Sequence, residues 1–510
     1  MELSLPDILI FISFFFIVIG TSMYKSRKEE TGEDYFLASR GLVWQIIGIS
    51  LIAANISSEQ FVGMSGQSAG NVGLAIASYE WMAAITLVFV AFFFLPRFLS
   101  SGIYTIPEFL QYRYNSTARS LMAFYTMVIY VGVTISAVIY SGGITIYTIF
   151  NVDMNTAIWA IGIIAAVYTT WGGLKAVAWA DVFQGSALII GGGVVLFFGL
   201  HAVGGVDNFF SVNSNKLHMI LPADHPVLPW TALVIGLWIP NIYYWGLNQY
   251  ITQRTLAAKS LREGQKGIIF AAAIKIIIPF VIVFPGIMAA QLYGDSMNNT
   301  DAAYPLLIKN LIPNGLRGFM LAAIAGAVIS SLASMLNSAS TIFTLDLYKV
   351  YVNKNASQKK LVSIGRIMTV LFVFLGCLIA PFLGDPNFLG IFTYIQEFQG
   401  YISPGILAAF VFGIIVKKAP PAAGVVALIA CVPVYGFLQW QFGEIAFLNR
   451  MAITFGIILL LMTAITLVMP LKTPLQLPKR NDIDLTPTPQ LIWLGTSVIV
   501  VTLILYGIFW

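Results

Sequence analysis

The sequence predicts an all-α integral membrane protein. Of its 510 residues, 58% are hydrophobic and only 10% are charged, whereas a soluble protein carries about 25% charged residues. The apolar residues form segments long enough for a helix to cross a bilayer core, which takes about 20 residues. Every second connection between these segments is basic.

Segment length predicts fourteen transmembrane helices in a single transporter domain, residues 1–510. The predicted spans are 6–24, 43–66, 73–96, 119–149, 154–171, 181–203, 230–249, 266–292, 315–348, 362–383, 387–415, 420–440, 451–470 and 490–510. The 315–348 segment exceeds the length of one crossing, and we interpret it as one tilted helix with an end outside the membrane.

The charge of the connections predicts the orientation. The connection after the seventh span contains Arg254 and Lys259, and segment 349–366 after the ninth contains five basic residues. Connections on the opposite side, such as 294–301, are acidic or neutral. Because basic connections stay in the cytoplasm, both termini are predicted to lie outside a cell (inner) membrane. The net charge of +5 arises from these connections and gives no reason to expect a nucleic-acid partner.

Segment 51–66 departs from the pattern of an ordinary membrane helix. After an apolar start, its middle contains the polar residues Asn55, Ser57, Ser58, Glu59 and Gln60. Polar side chains and freed carbonyls at that depth are tolerated where they line a cavity enclosed by protein. A hydrophobic segment broken near its midpoint also indicates a transporter binding site. The segment therefore predicts the floor of a site for an ion and a solute.

Small hydroxyls and freed carbonyls predict the ion to be sodium, because hard cations prefer oxygen ligands. Ala327 precedes Ser330 and Ser331 by three and four residues, so all three share one helical face. Ala53 and Ile56 stand where the broken helix would release carbonyls. The alternative is that the serine-bearing helix only offers small residues for close helix packing.

Charged and amide side chains within predicted spans indicate a polar solute. They are Gln60, Glu80, Asn241, Asn248, Lys275 and Gln396. Amides supply both a donor and an acceptor, which suits a hydroxyl-rich ligand, and aromatic faces nearby suit the apolar side of a sugar ring. The alternatives are a Glu80–Lys275 pair that fastens two helices, and aromatic residues that belong to the lipid interface.

Several stretches carry a resemblance to a known family. They are Tyr104-Thr-Ile-Pro-Glu-Phe109, Tyr168-Thr-Thr-Trp-Gly-Gly-Leu-Lys-Ala176, Asn241-Ile-Tyr-Tyr-Trp-Gly-Leu-Asn-Gln249, Gln253-Arg-Thr-Leu-Ala-Ala-Lys-Ser260, Ser330-Ser-Leu-Ala-Ser-Met-Leu-Asn-Ser338 and Tyr394-Ile-Gln-Glu397. Together with segment 51–82, they resemble the sodium/solute symporter family, and most closely its sugar branch of sodium/galactose and sodium/glucose symporters. The similarity weakens after about residue 415.

The resemblance implies a five-plus-five inverted-repeat core with a broken first helix in the repeat. The implied divisions are a peripheral first helix in 1–42, repeats in 43–203 and 230–415, and peripheral helices in 416–510. The implied function is not enzymatic. It is secondary active transport in which inward sodium movement drives uptake of a hexose such as galactose or glucose across the bilayer. The alternative is a sodium symporter of the same fold for inositol, sialic acid or proline.

The resemblance also implies roles for individual residues. Sodium would be bound by the carbonyls of Ala53, Ile56 and Ala327 and the hydroxyls of Ser330 and Ser331. The sugar would be hydrogen-bonded by Gln60, Glu80, Asn241, Lys275 and Gln396. The inner gate would be Tyr244 with Trp245, and the outer gate would be Met64, Tyr79 and Phe392.

Two positions depart from the family pattern. Ala83 stands where the galactose symporter has a sugar-contacting serine. Ala333 stands where relatives with a second sodium site have a hydroxyl, although Asp181 and Ser334 remain. The expectation is therefore one sodium per sugar. Glu59 receives no specific role beyond packing or pairing.

Overall fold

The computed structural model describes residues 4–26, 37–171, 174–294, 297, 299–384, 391–480, 483–486 and 488–510. Within these residues the regular elements are helices, and β-structure is limited to two isolated bridges. The all-α prediction is confirmed. The start of the predicted span at 387, and parts of segments 1–42, 168–176 and 294–301, lie outside the described residues.

Apolar helices or bent helix pairs coincide with each predicted span. They are α1 (Leu5–Ser26), α2 (Trp44–Asn55 with Gln60–Ala69), α3 (Gly73–Ser101), α4 (Ser116–Phe150), α5 (Met154–Trp171), α6 (Leu174–Ala202), α7 (Ala232–Leu247), α8 (Leu261–Tyr293), α9 (Leu316–Val352), α10 (Gln358–Gly384), α11 (Ile391–Gln399 with Ser403–Ile415), α12 (Pro421–Gln441), α13 (Phe447–Val468) and α14 (Gln490–Ile508). In the described chain, ten are long and apolar enough to cross a membrane, or up to twelve with the bent pairs α2 and α11. The apolar stretches of α5 and α7 are shorter. Fourteen crossings, their orientation and the inverted repeat stay predictions.

The predicted break in the second span separates the two halves of α2, whose axes differ by 56°. The N–H of Ser57 donates to the carbonyl of Asn55 at 3.0 Å, and the N–H of Gln60 donates to the carbonyl of Ser57 at 3.0 Å. In a continuous helix these two N–H groups would donate four residues back, to Ala53 and Ile56. The break therefore removes the ordinary helical donor from both carbonyls.

Close helix crossings hold the first half of α2 inside the bundle. A β-carbon on Gly48 would lie 2.8 Å from the carbonyl oxygen of Gly267 in α8. A β-carbon on Gly185 in α6 would lie 2.8 Å from the β-carbon of Ala53. Small residues let membrane helices approach this closely, so α6 and α8 flank the half-helix that precedes the break.

The second bent pair, α11, changes direction by 47° between its halves. Glu397, just before the bend, accepts a hydrogen bond from Arg450 of α13 at 2.6 Å. At the bend, Gly400 lies so close to Tyr435 of α12 that a β-carbon would come within 2.4 Å of the ring. The helices at the C-terminal end thus brace the bend of α11.

Candidate functional site

A cavity of about 40 Å³ lies at the break of α2. It is lined by Asn55, Gln60, Tyr79, Glu80, Pro240, Asn241, Tyr244, Trp245, Phe392 and Gln396. These residues come from α2, α3, α7 and α11, and eight of the ten were predicted to bind the solute or to form a gate. The volume holds a few water molecules, so a sugar can enter only if the lining side chains move apart.

Lys275, the remaining predicted solute residue, adjoins the cavity from α8. Its fully buried ammonium donates to Glu80 and to the side-chain oxygen of Asn55, both of which line the cavity. The same ammonium lies 4.8 Å from the centre of the Trp245 ring, an attractive cation–π geometry. A charge at this depth is costly without partners, and here the pair both joins α3 to α8 and forms one wall of the site.

Asn55 and Pro240 are the two cavity residues to which sequence reasoning gave no individual role, and Asn55 is the polar one. The amide nitrogen of Asn55 donates to the hydroxyl of Tyr244 at 3.0 Å, and its oxygen accepts from Lys275. It thereby joins α2 to α7 and α8. The available signal was its place at the end of the first half of α2, where an amide loses its regular helical surroundings.

Two predicted solute amides have unused hydrogen-bonding capacity. The side-chain oxygen of Gln60 is buried, and within the part of the chain that the structure describes it has no hydrogen-bond partner. Asn241 donates to the carbonyl of Leu237 at 3.1 Å, which leaves its oxygen for other donors. A buried amide oxygen without a partner costs about 1–3 kcal/mol, and a ligand hydroxyl would relieve that cost.

A series of hydrogen bonds links Tyr244 to residues that do not line the cavity. Tyr250 donates to the hydroxyl of Tyr244 at 2.7 Å, and its own N–H donates to the hydroxyl of Tyr130 at 3.1 Å. Tyr130 in turn donates to the side-chain oxygen of Asn248. Asn248, which was grouped with the amides that indicate a polar solute, thus has a partner within the protein. This chain of hydroxyls closes the cavity on the Tyr244 side.

Aromatic rings from α3 and α11 close another part of the cavity. Tyr79 and Phe392 contact edge to face, with ring centres 4.8 Å apart. Phe392 also lies against Gly63 of α2, where a β-carbon would approach its β-carbon to 2.9 Å. Met64, the other predicted outer-gate residue, is fully buried but does not line the cavity.

The predicted sodium residues lie on α2 and α9, which meet at Asp181 of α6. One carboxylate oxygen of Asp181 accepts from Ser50 of α2 at 2.5 Å, and the other accepts from Ser330 of α9. The hydroxyl hydrogen of Ser330 is therefore already donated to a carboxylate. The hydroxyl oxygen of Ser331 is buried without a hydrogen-bond partner, and Ala327 precedes it by one helical turn.

Arg254 corrects the sequence interpretation, which placed it among the loop cations. The structure buries its side chain to 1% exposure in the helix Gln249–Leu256. Its guanidinium donates to Asp181 at 2.9 Å, to Ser334 at 2.5 Å and to Ser50 at 2.5 Å. Hydrophobicity alone assigns a charged residue such as Arg254 to a connection between spans. The ion pair with the buried carboxylate of Asp181 instead stabilises the cation inside the bundle.

Comparisons with known proteins agree with this geometry. The sequence profile of the sodium:solute symporter family matches residues 35–430. A sodium/glucose cotransporter of Vibrio parahaemolyticus is 40% identical over 541 positions, covering 100% of this chain and 99% of that protein. A sodium/myo-inositol cotransporter 2 of Oryctolagus cuniculus is 32% identical over 450 positions, covering 81% and 66%.

Among solved structures, the substrate-bound outward-open state of a Na⁺-coupled sialic acid symporter is similar in fold. It superposes with a TM-score of 0.82 at 22% identity and covers 93% of this chain and 99% of its own.

Proposed function

The chain belongs to the sodium:solute symporter family, and we propose that it takes up a hexose such as galactose or glucose by coupling to inward sodium movement. The cavity at the break of α2 carries the proposal. Amides, a buried ion pair and aromatic rings converge there, which is the mixture that binds a sugar. Transport would proceed by alternating access around this site.

In this proposal, the solute site consists of five side chains. They are Gln60, Glu80, Asn241, Lys275 and Gln396. The unpartnered oxygen of Gln60 and the free capacity of Asn241 suit sugar hydroxyls, which both donate and accept. Glu80 and Lys275 would exchange part of their mutual contact for sugar hydroxyls as the cavity widens.

The proposed sodium ligands are neutral oxygens on α2 and α9. They are the carbonyls of Ala53, Ile56 and Ala327 and the hydroxyls of Ser330 and Ser331. The two α2 carbonyls lack their helical donors and the Ser331 hydroxyl lacks any partner, so these groups fit a hard cation. These oxygens would coordinate the ion as neutral ligands. Because no ligand carries a full negative charge, the ion could leave again.

Coupling would arise because α2 supplies both sites. Sodium between α2 and α9 would hold the break in one geometry and so position Gln60 for the sugar; the sugar would then strengthen sodium binding equally, as linkage requires. Each inward sodium charge contributes about 2.3 kcal/mol per 100 mV. By the rule of 1.4 kcal/mol per tenfold, one ion sustains roughly a fifty-fold sugar gradient at that voltage.

A stoichiometry of one sodium per sugar is supported by Arg254. Its guanidinium already bonds Asp181 and Ser334, the two residues that would remain from a second sodium site. A second cation there would face a fixed positive charge. Ala333 also offers no hydroxyl.

The two proposed gates would separate the solute site from the two sides of the membrane. Tyr244, with Trp245 at a ring distance of 5.1 Å, would separate the site from the cytoplasm. Tyr79, Phe392 and Met64 would separate it from the outside. Both termini would lie outside the cell membrane, since the basic connections would face the cytoplasm.

Uptake of radiolabelled galactose and glucose into proteoliposomes tests the proposal. An inward sodium gradient should drive accumulation that vanishes with potassium in its place. Gln60→Ala should weaken sugar binding by about 5- to 100-fold, the range for a lost buried hydrogen bond. Gln265→Ala is the matched control, because Gln265 bonds the carbonyl of Ala91 outside the cavity. Wild-type affinity in Gln60→Ala would refute the sugar site.

The second candidate function is sodium-coupled uptake of a different organic solute. Among such solutes, the similarity to a myo-inositol cotransporter favours inositol. Inositol presents hydroxyls like a hexose, so the same side chains suit it. Sialic acid or proline carries a carboxylate, and the cation beside the cavity, Lys275, is paired with Glu80. Counterflow with a panel of these solutes distinguishes them, since only the true substrate drives sodium-dependent exchange.

A further inference from the structure

A second, larger cavity of about 700 Å³ opens far from the α2 break, on the side of the basic connections. It lies between the start of α4, the end of α9, the start of α10 and the helix Ile106–Arg113. Its polar wall includes Glu108, Arg119, Lys349, Lys354 and Gln358. None of these residues has a part in the proposed sugar and sodium sites.

Two of the charged groups that line this cavity already have partners within the protein: Arg119 is in an ion pair, and Glu108 accepts hydrogen bonds from neutral donors but keeps its negative charge. Arg119 pairs with Asp346 at 2.6 Å and also donates to Gln111 at 2.6 Å. Glu108 accepts from the N–H of Tyr104 at 2.7 Å and from Tyr112 at 2.9 Å. Neither group calls for an external partner.

Lys349 and Lys354 differ from those charges. Both side chains are exposed, and among the described residues neither ammonium has an ion-pair or hydrogen-bond partner. The surrounding sequence adds positive charge, because segment 347–384 contains five basic residues and no acidic one. With Arg119 paired to Asp346, the cavity presents the two ammonium groups of Lys349 and Lys354 against the one carboxylate of Glu108. Positive charge is in excess, and the complementary ligand is an anion.

The neighbouring surface is apolar. Tyr351 and Val352, at the end of α9, are 63% and 71% exposed, and Ile367 and Val370 on α10 are 59% and 51% exposed. Aromatic and apolar side chains beside lysines at a helix end are typical of a membrane–water interface. An anion that fits both halves of this surface is amphiphilic.

We propose that this cavity binds the phosphate headgroup of an anionic phospholipid, with Lys349 and Lys354 as its cationic partners. The acyl chains would lie along the apolar face of α10. Phosphate accepts short, charge-assisted hydrogen bonds from ammonium groups, and basic pockets between membrane helices on the cytoplasmic side bind such headgroups. The inference does not depend on which solute is transported.

Native mass spectrometry of the full-length protein, titrated with dioleoylphosphatidylglycerol or dioleoylphosphatidylcholine, tests the proposal. Wild-type protein should retain phosphatidylglycerol in preference to phosphatidylcholine. The double variant Lys349→Gln/Lys354→Gln should bind phosphatidylglycerol about thirty-fold more weakly, since each lysine near an anionic lipid contributes roughly 1 kcal/mol. Both side chains are exposed, and an unchanged melting temperature verifies folding.

The matched control is Lys417→Gln/Lys418→Gln, which removes the same charge from the connection between α11 and α12, outside the cavity. Its affinity for phosphatidylglycerol should stay within two-fold of wild type. Equal weakening in both double variants would mean general surface attraction and would overturn the site. Binding of sn-glycerol 3-phosphate as tight as that of phosphatidylglycerol would also overturn it, because the ligand would then be a soluble phosphate.

Discussion

The ammonium of Lys275 is paired with the carboxylate of Glu80 inside the helix bundle, where neither side chain is more than 3% exposed. The two residues come from α8 and α3, and the pair lies at the edge of the cavity that the sugar is proposed to enter. The pair therefore stabilises the fold and is also proposed to bind sugar, and experiments can separate these two roles.

Removing one partner of this pair should unfold the protein more easily, because an unpaired charge would remain buried. Lys275→Met should lower the free energy of unfolding by about 3–5 kcal/mol. The double variant Glu80→Gln/Lys275→Met should recover most of that loss in thermal unfolding, yet remain unable to bind sugar. A double variant that transports at the wild-type rate would contradict the proposed sugar contacts.

Ser331→Ala should separate ion binding from stability. The hydroxyl of Ser331 is buried and has no hydrogen-bond partner among the described residues, so its removal should not lower the free energy of unfolding measured without sodium, and should raise it by up to about 1–3 kcal/mol. Sodium-driven uptake should nevertheless be abolished. Ser330→Ala is the comparison, because it also breaks the bond to the buried carboxylate of Asp181 and should lower the free energy of unfolding by about 1.5–3 kcal/mol. Unchanged sodium dependence in Ser331→Ala would rule out this ion site.

Two variants separate the contribution of the Tyr244 ring from that of its hydroxyl. Tyr244→Phe keeps the ring but loses the bonds with Asn55 and Tyr250, which should raise the half-saturating sugar concentration a few-fold. Tyr244→Ala also removes the stacking face and should reduce uptake much further. Kinetics of both variants in proteoliposomes measure the difference. Equal losses would indicate that the hydroxyl, and not stacking, is essential.

Asp301, in the connection between α8 and α9, should make stability depend on pH. Burial raises the pKa of its carboxyl to about 7 in the folded protein, against an ordinary value of 3.8. The folded state thus holds the proton more tightly, so the stabilisation is complete below pH 3.8 and is lost as pH rises toward 7. Between these values the free energy of unfolding should fall by up to about 1.4 kcal/mol per pH unit.

The surroundings of Asp301 explain why this carboxyl is sensitive. Its oxygens contact the N–H of Ile391 at 3.4 Å and the region of Gly66, where a β-carbon would come within 2.9 Å. Burial raises the pKa of the carboxyl more than the Ile391 N–H lowers it. Thermal unfolding from pH 5 to 8 should therefore show a steeper loss of stability with pH in the wild type than in Asp301→Asn. Identical slopes would assign the pH dependence to other groups.

Sequence reasoning reached the helices and most of the cavity because the bilayer imposes local rules. A helix in lipid must be apolar over a fixed length, so a polar stretch such as Asn55 to Gln60 reveals the break in α2 directly. Gln60, Glu80 and Asn241 were identifiable for the same reason, since polar residues in apolar spans need a purpose. Spacing indicated the ion residues, and the resemblance to a family then supplied the gate residues.

The partners of those residues were decided only by the tertiary structure. Asn55 meets Lys275, which is 220 residues away in sequence, and Arg254 crosses the bundle to Asp181. Hydrophobicity along the chain cannot foresee either contact, because a buried charge is stabilised by whichever partner the fold brings near. The sequence alone determined that the second span is broken and where its polar residues lie; the packing of α6, α7 and α8 around it decided which of them are paired and which remain open to a ligand.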